Sequence, residues 1–86
     1  MEIKRIASAG TMESSDAYVE IEPTTGLDIT LESVVAQQFG ESIRQVIRDV
    51  LEENGVENAK VRVVDRGALE CVIRARVETA IIRGRE

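Results

Sequence analysis

Apolar and polar positions alternate over residues 17–22, with Ala17, Val19 and Ile21 on one face and Tyr18, Glu20 and Glu22 on the other. The same alternation returns after Pro23-Thr24-Thr25-Gly26, where Leu27, Ile29 and Leu31 oppose Asp28, Thr30 and Glu32. Two alternating runs joined by a four-residue turn signal predict a β-hairpin. Upstream, residues 2–9 (EIKRIASA) predict a first strand, although Ile3 and Ile6 are out of strict alternation. Gly10 to Asp16 (GTMESSD) has no period and predicts a loop. From residue 35 the repeat lengthens. Val35, Phe39, Ile43, Val46, Ile47, Val50 and Leu51 recur at helical spacing, opposite Gln37, Glu41, Arg44, Gln45, Arg48, Asp49 and Glu52. Ser33 is placed to cap this helix and Asn54-Gly55 to stop it. Gly40 lies inside the stripe at a cost of about 1 kcal/mol relative to alanine, which predicts close packing there.

Beyond the helix, Ala59, Val61 and Val63 alternate with Lys60, Arg62 and Val64, and Asp65-Arg66-Gly67 turns the chain. Cys71, Ile73, Ala75, Val77 and Thr79 then share one face against Val72, Arg74, Arg76 and Glu78, predicting a longer strand that residues 80–86 extend or fray. The sum is an α+β fold: a small antiparallel sheet of four to five strands with one amphipathic helix packed on one face, a single domain over residues 1–86.

Composition narrows the chemistry. Histidine is absent and there is one cysteine, which removes Ser-His and Cys-His pairs, histidine metal sites and disulfide frameworks. The net charge is −5 and uneven: residues 1–32 hold two cations against seven carboxylates, whereas residues 33–86 hold nine of each sign. An acidic N-terminal third and only two aromatics, Tyr18 and Phe39, argue against nucleic acid as a partner. No apolar run approaches the ~20 residues that cross a bilayer, and the first residues lack the apolar stretch of a secretory signal. With a lone Cys71, the expectation is a cytoplasmic protein with no membrane partner.

Few side chains invite chemistry. Glu52 and Glu53 end a solvated helix and read as charged surface. Cys71, on the Ile73 and Val77 face with no base to activate it, reads as a small buried hydrophobe. Arg62, Arg74 and Arg76 fall on one polar sheet face, as an edge defended by charge or as a site for an acidic surface or phosphate. Neither phosphate-cradling glycine pattern is present. The loop at 10–16 is an ordinary polar turn by composition, yet Ser14 and Ser15 offer two hydroxyls between strands, flanked by the charges of Glu13 and Asp16, and Glu13, Ser15 and Asp16 are candidates for recognition by a modifying enzyme. A serine that is modified by another enzyme needs exposure rather than activation.

This loop, AGTMESSDA at 9–17, together with QQFGESIRQVI at 37–47 and VENAKVRVVDRGALECVIRARVETA at 56–80, resembles the acyl carrier proteins (gamma chains) of citrate lyase over nearly the whole chain. The family pattern reads Ala-Gly-Thr-Leu-Glu-Ser, then Ser or Gly, then Asp; Met12 stands at the leucine, a volume-conserving exchange. The resemblance implies that Ser14 carries phosphoribosyl-dephospho-coenzyme A in phosphodiester linkage, and only this analogy selects Ser14 over Ser15. It further implies no catalytic residue and no metal in this chain. Acetyl and citryl thioesters would travel on the group's thiol between an alpha transferase subunit and a beta lyase subunit, after a prosthetic-group transferase has loaded the serine. Arg62, Arg74 and Arg76 are then candidates for docking a partner subunit. The Asp-Ser-Leu motif of helical acyl carrier proteins does not occur. Alternatives are a malonate decarboxylase-type carrier, which uses a related cofactor, and a structural subunit without a prosthetic group; an independent enzyme is the weakest reading.

Overall fold

A computed structural model describes residues 2–86; Met1, the first residue of the expected domain, lies outside the described residues. The elements in chain order are β1 (Ala7–Gly10), β2 (Ala17–Glu22), β3 (Leu27–Ser33), α1 (Ala36–Glu53), β4 (Ala59–Asp65) and α2 (Glu70–Arg85). The strands form one sheet in the order β1-β2-β4-β3. β1 and β4 both run antiparallel to β2, and β3 runs parallel to β4. The class is α+β as the sequence predicts, but the sheet is mixed and carries two helices.

One face of the sheet is apolar because β2 and β4 keep strict period two. Ala17, Val19 and Ile21 meet Asp65, Val63 and Val61 in register, and all six are at most 1% exposed. Both helices cover this face. α1 presents Ile43, Ile47, Val50 and Leu51, and α2 presents Ile73, Val77, Ala80 and Ile81, all in one core with the sheet residues. Each of these larger aliphatics contributes roughly 1.5–3 kcal/mol by leaving water. The opposite face buries Val64 but is otherwise largely open and polar, laced by Glu20–Arg62 at 3.4 Å and Glu22–Lys60 at 3.9 Å.

The predicted hairpin does not form, because β4 lies between β2 and β3. β4 buries residues on both of its faces, Val61 and Val63 on one and Val64 on the other, so it belongs in the sheet interior. The Pro23–Gly26 turn is held instead against the start of β4: the Gly26 amide donates to Asn58 Oδ1 at 2.8 Å, and the Ala59 amide donates to the Gly26 carbonyl at 2.9 Å. α1 supplies the crossover that a parallel pair requires. It stops where the sequence predicts, with the Val56 amide on the Leu51 carbonyl and the Gly55 amide on the Glu52 carbonyl. Its start differs. Val35 is the N-cap, and Ser33 ends β3, its hydroxyl accepting from the Val35 amide and donating to Asp65. Phe39, expected in the buried stripe, is 52% exposed.

The largest correction is α2, a helix where alternation predicts a strand. Buried positions 73, 77, 80, 81 and 84 follow a helical repeat, and Ile73 and Val77 satisfy period two as well, which made the local pattern ambiguous. Cys71 and Ala75 therefore face solvent, so Cys71 is exposed rather than a core residue. The first strand is also shorter than predicted. Residues 3–5 run against the end of α2, where the Lys4 and Arg5 amides donate to the Gly84 carbonyl and Ile3 is buried. Close packing of a helical glycine occurs at Gly84, where a Cβ would meet Ile3 at 3.1 Å and Ile21 at 3.3 Å. Gly40 has only the Ala36 methyl at 3.9 Å, so the packing expected of it is absent.

Candidate functional site

The β1–β2 connection begins at a residue that must be glycine. Gly10 has φ +90°, and a Cβ on it would lie 1.8 Å from the Ala17 carbonyl oxygen and 3.1 Å from Arg76 Cδ. The chain therefore turns tightly against the start of β2. Thr11 continues the construction: its hydroxyl accepts from the Glu13 amide at 3.2 Å and donates to Asp16 Oδ2 at 2.6 Å. The Asp16 amide then donates to the Glu13 carbonyl at 3.1 Å, closing a four-residue turn with Ser14 and Ser15 at its centre.

Asp16 anchors this turn to the body of the protein. Its carboxylate accepts from the Ala17 amide at 2.7 Å and from both Nε and Nη2 of Arg76 at 3.0 and 3.1 Å, a bidentate pair with α2. The Thr11 hydroxyl, then Arg76 and then the Ala17 amide hold the Asp16 carboxyl down to about 2, against a partial desolvation that acts the other way. On the far side, the Ser15 amide donates to the Arg66 carbonyl at 2.8 Å and the Arg66 amide to the Asp16 carbonyl at 2.9 Å, extending the β2–β4 ladder past its last pair. Asp65 fixes that neighbouring turn. It is 1% exposed, and it accepts from the Ser33 hydroxyl and from the Gly67 and Ala68 amides.

Ser14 and Ser15 are thus exposed on a backbone braced from two directions, and neither hydroxyl has a hydrogen-bond partner among the described residues. The two differ in backbone. Ser15 sits at φ +66°, a left-handed position that suits glycine, whereas Ser14 occupies the preceding corner. Glu13 is exposed beside them. Asp16, expected with Glu13 as a recognition charge, is turned inward and committed to Arg76.

The three arginines do not share a face. Arg62 pairs with Glu20 on the open side of the sheet, Arg74 bridges to Glu53 of α1 at 2.6 Å, and Arg76 clamps the serine loop. Moving residues 70–85 from a strand to a helix is what separates them. Glu53 is accordingly the Arg74 partner, and Glu52 is exposed. Sequence reasoning missed Gly10, Thr11, Arg66 and the clamping role of Arg76; the Gly-Thr pair opening the loop and the Asp-Arg-Gly turn were the available signals. No group of three or more histidine, cysteine or acidic residues suited to a metal occurs among the described residues, and no helix there is long and apolar enough to cross a membrane.

Known proteins are similar to this one over nearly its whole length. Residues 4–84 match the family model described as malonate decarboxylase delta subunit (MdcD) within the acyl carrier proteins. The citrate lyase acyl carrier protein of Haemophilus influenzae (strain PittEE) is 51% identical, covering 96% of this chain and 87% of that one. Citrate lyase acyl carrier protein 2 of Salmonella typhimurium is also 51% identical, covering 100% and 91%. The chain belongs to the citrate lyase acyl carrier protein family. The fold of this acyl carrier protein also matches a chain in the crystal structure of a Pseudomonas malonate decarboxylase hetero-tetramer in complex with malonate, with a TM-score of 0.82 at 21% identity over 93% of this chain and 84% of that one. The fold seen here, a mixed sheet with two helices on one face, is therefore shared with a chain of that hetero-tetramer.

Proposed function

We propose that this protein is the cytoplasmic acyl carrier subunit of a citrate lyase, loaded on Ser14 with phosphoribosyl-dephospho-coenzyme A and serving separate transferase and lyase subunits. One observation carries the reading. Ser14 is exposed, its hydroxyl unpartnered among the described residues, at the corner of a turn whose backbone is held by Asp16 on one side and Arg66 on the other. Such a site fits a large covalent group, because the reacting oxygen is open to water while the loop around it keeps one shape. Loading forms a phosphorus–oxygen bond at Ser14 Oγ. The same phosphorus loses its bond to the leaving group of the transferase's own substrate, which departs with the electron pair as an anion, and the transferase takes the hydroxyl proton.

When bound, the group supplies a long arm ending in a thiol that holds acyl groups as thioesters. The chain's part is to present that arm, which keeps the acyl group at about millimolar local concentration near partner subunits. Ser15 is exposed as well, but its left-handed backbone is one that glycine satisfies equally, so its hydroxyl is dispensable in this reading. We assign no catalytic residue to the chain. Docking through Arg62, Arg74 and Arg76 is not part of the proposal, since each already holds an internal carboxylate.

A malonate decarboxylase-type role is favoured by the family model alone; the 51% identical relatives favour citrate lyase. Intact mass of protein from its native host tests the proposal. Wild type and Ser15→Ala are expected to carry the added group and Ser14→Ala to lack it, with acetyl rather than malonyl on the thiol. Loading that persists in Ser14→Ala overturns the assignment.

A further inference from the structure

The charges around the serine turn are unevenly matched. Asp16 is neutralised by Arg76, and Asp65 is buried with three hydrogen-bond donors around it. Arg66 is different. Its backbone is locked to the turn through the Ser15 amide and the Asp16 carbonyl, at 2.8 and 2.9 Å. Its guanidinium is exposed and makes no ion pair or hydrogen bond among the described residues, although Glu70 is exposed four residues along the chain and Glu13 is exposed in the serine turn. A cation is thus fixed at its root against Ser15 and Asp16, one residue along the chain from Ser14, with its head unclaimed among the described residues. A phosphodiester on Ser14 would add an anion next to Glu13, on a protein that already carries a net charge of −5. Guanidinium is well suited to phosphate oxygens, which it can grip with two parallel N–H donors.

We propose that Arg66 is a phosphate-binding residue that pairs with the phosphodiester on Ser14 and steers the first part of the attached arm. This rests on the loading of Ser14 argued above. The role belongs to the side chain alone, because both bonds that brace the turn come from Arg66 backbone atoms and survive in Arg66→Gln.

The test compares unloaded wild type, made without the transferase, with loaded wild type, both labelled with nitrogen-15. Unloaded Arg66→Gln identifies the Arg66 Nε–H resonance by its disappearance, and its thermal midpoint is expected to equal that of wild type. Loading is expected to shift the Arg66 resonance, to leave the Arg76 Nε–H resonance in place, and to move the phosphorus-31 signal reversibly as sodium chloride is raised to about 1 M, where exposed charge pairs are screened. An Arg66 resonance unchanged by loading, or a shift indifferent to salt, overturns the proposal while leaving the carrier reading intact. A wild-type protein that takes no added mass at Ser14 overturns both.

Discussion

Replacing Gly10 by alanine is the sharpest test of how the serine loop is built. The substitution forces a side chain into φ +90°, which costs about 1–2 kcal/mol for an L-residue. It also places a methyl 1.8 Å from the Ala17 carbonyl oxygen, a backbone atom that cannot rotate aside, so β1 and β2 must separate. Overpacking of this kind costs about 1–3 kcal/mol, and the two together give about 2–5 kcal/mol. For a chain of 86 residues the whole stability is of order 4–13 kcal/mol. Gly26→Ala is the control. Its φ is +81°, but nothing lies within 4 Å of the added methyl, so only the conformational cost of about 1–2 kcal/mol remains. Thermal unfolding followed by circular dichroism reads the pair. At roughly 4–8 °C per kcal/mol, Gly10→Ala is expected to melt about 8–40 °C lower, well below Gly26→Ala. Equal losses in the two variants would refute the tight approach of Gly10 to Ala17.

Two further outcomes follow from other parts of the fold. Gly40→Ala is expected to stabilise the protein by about 0.5–1 kcal/mol, because the position is helical and the nearest atom, the Ala36 methyl, is 3.9 Å away; a drop in the urea midpoint would contradict this. The depressed Asp16 carboxyl means that its contribution to stability is fully present above the ordinary value of 3.8 and is lost as the pH falls through about 2. Carbon-13 detection of the Asp16 carboxyl is expected to show titration near 2, rising toward 3.8 in Thr11→Val and in Arg76→Gln; a midpoint unmoved in both variants would rule out the clamp.

What the sequence made legible was local. Period two at 17–22 and 27–32, the helical repeat to Leu51, the Asn54-Gly55 stop and the unpatterned loop around Ser14 each depend on neighbouring residues, and each is present in the fold. What it hid was non-local. The insertion of β4 between β2 and β3 follows from Val64 being buried on the second sheet face, which alternation alone does not reveal. α2 was misread because Ile73 and Val77 fit both periods; the adjacent Ala80 and Ile81 and then Gly84 are what a strand would not bury together. That error carried into the site, since it placed Arg74 and Arg76 beside Arg62 and concealed the Arg76 clamp on Asp16. The exposed loop holding Ser14 and Ser15 was legible from its composition, whereas Arg66 reaches the turn through backbone bonds that no side-chain pattern encodes.

Fragment-ion mapping of the arginine-bounded peptide that spans residues 6–44, taken from protein purified out of its native host, addresses the carrier role most directly. The account predicts the mass of phosphoribosyl-dephospho-coenzyme A on Ser14, with Ser15 unmodified in the same peptide. The same mass on Ser15, or a peptide that never carries it, would contradict the account.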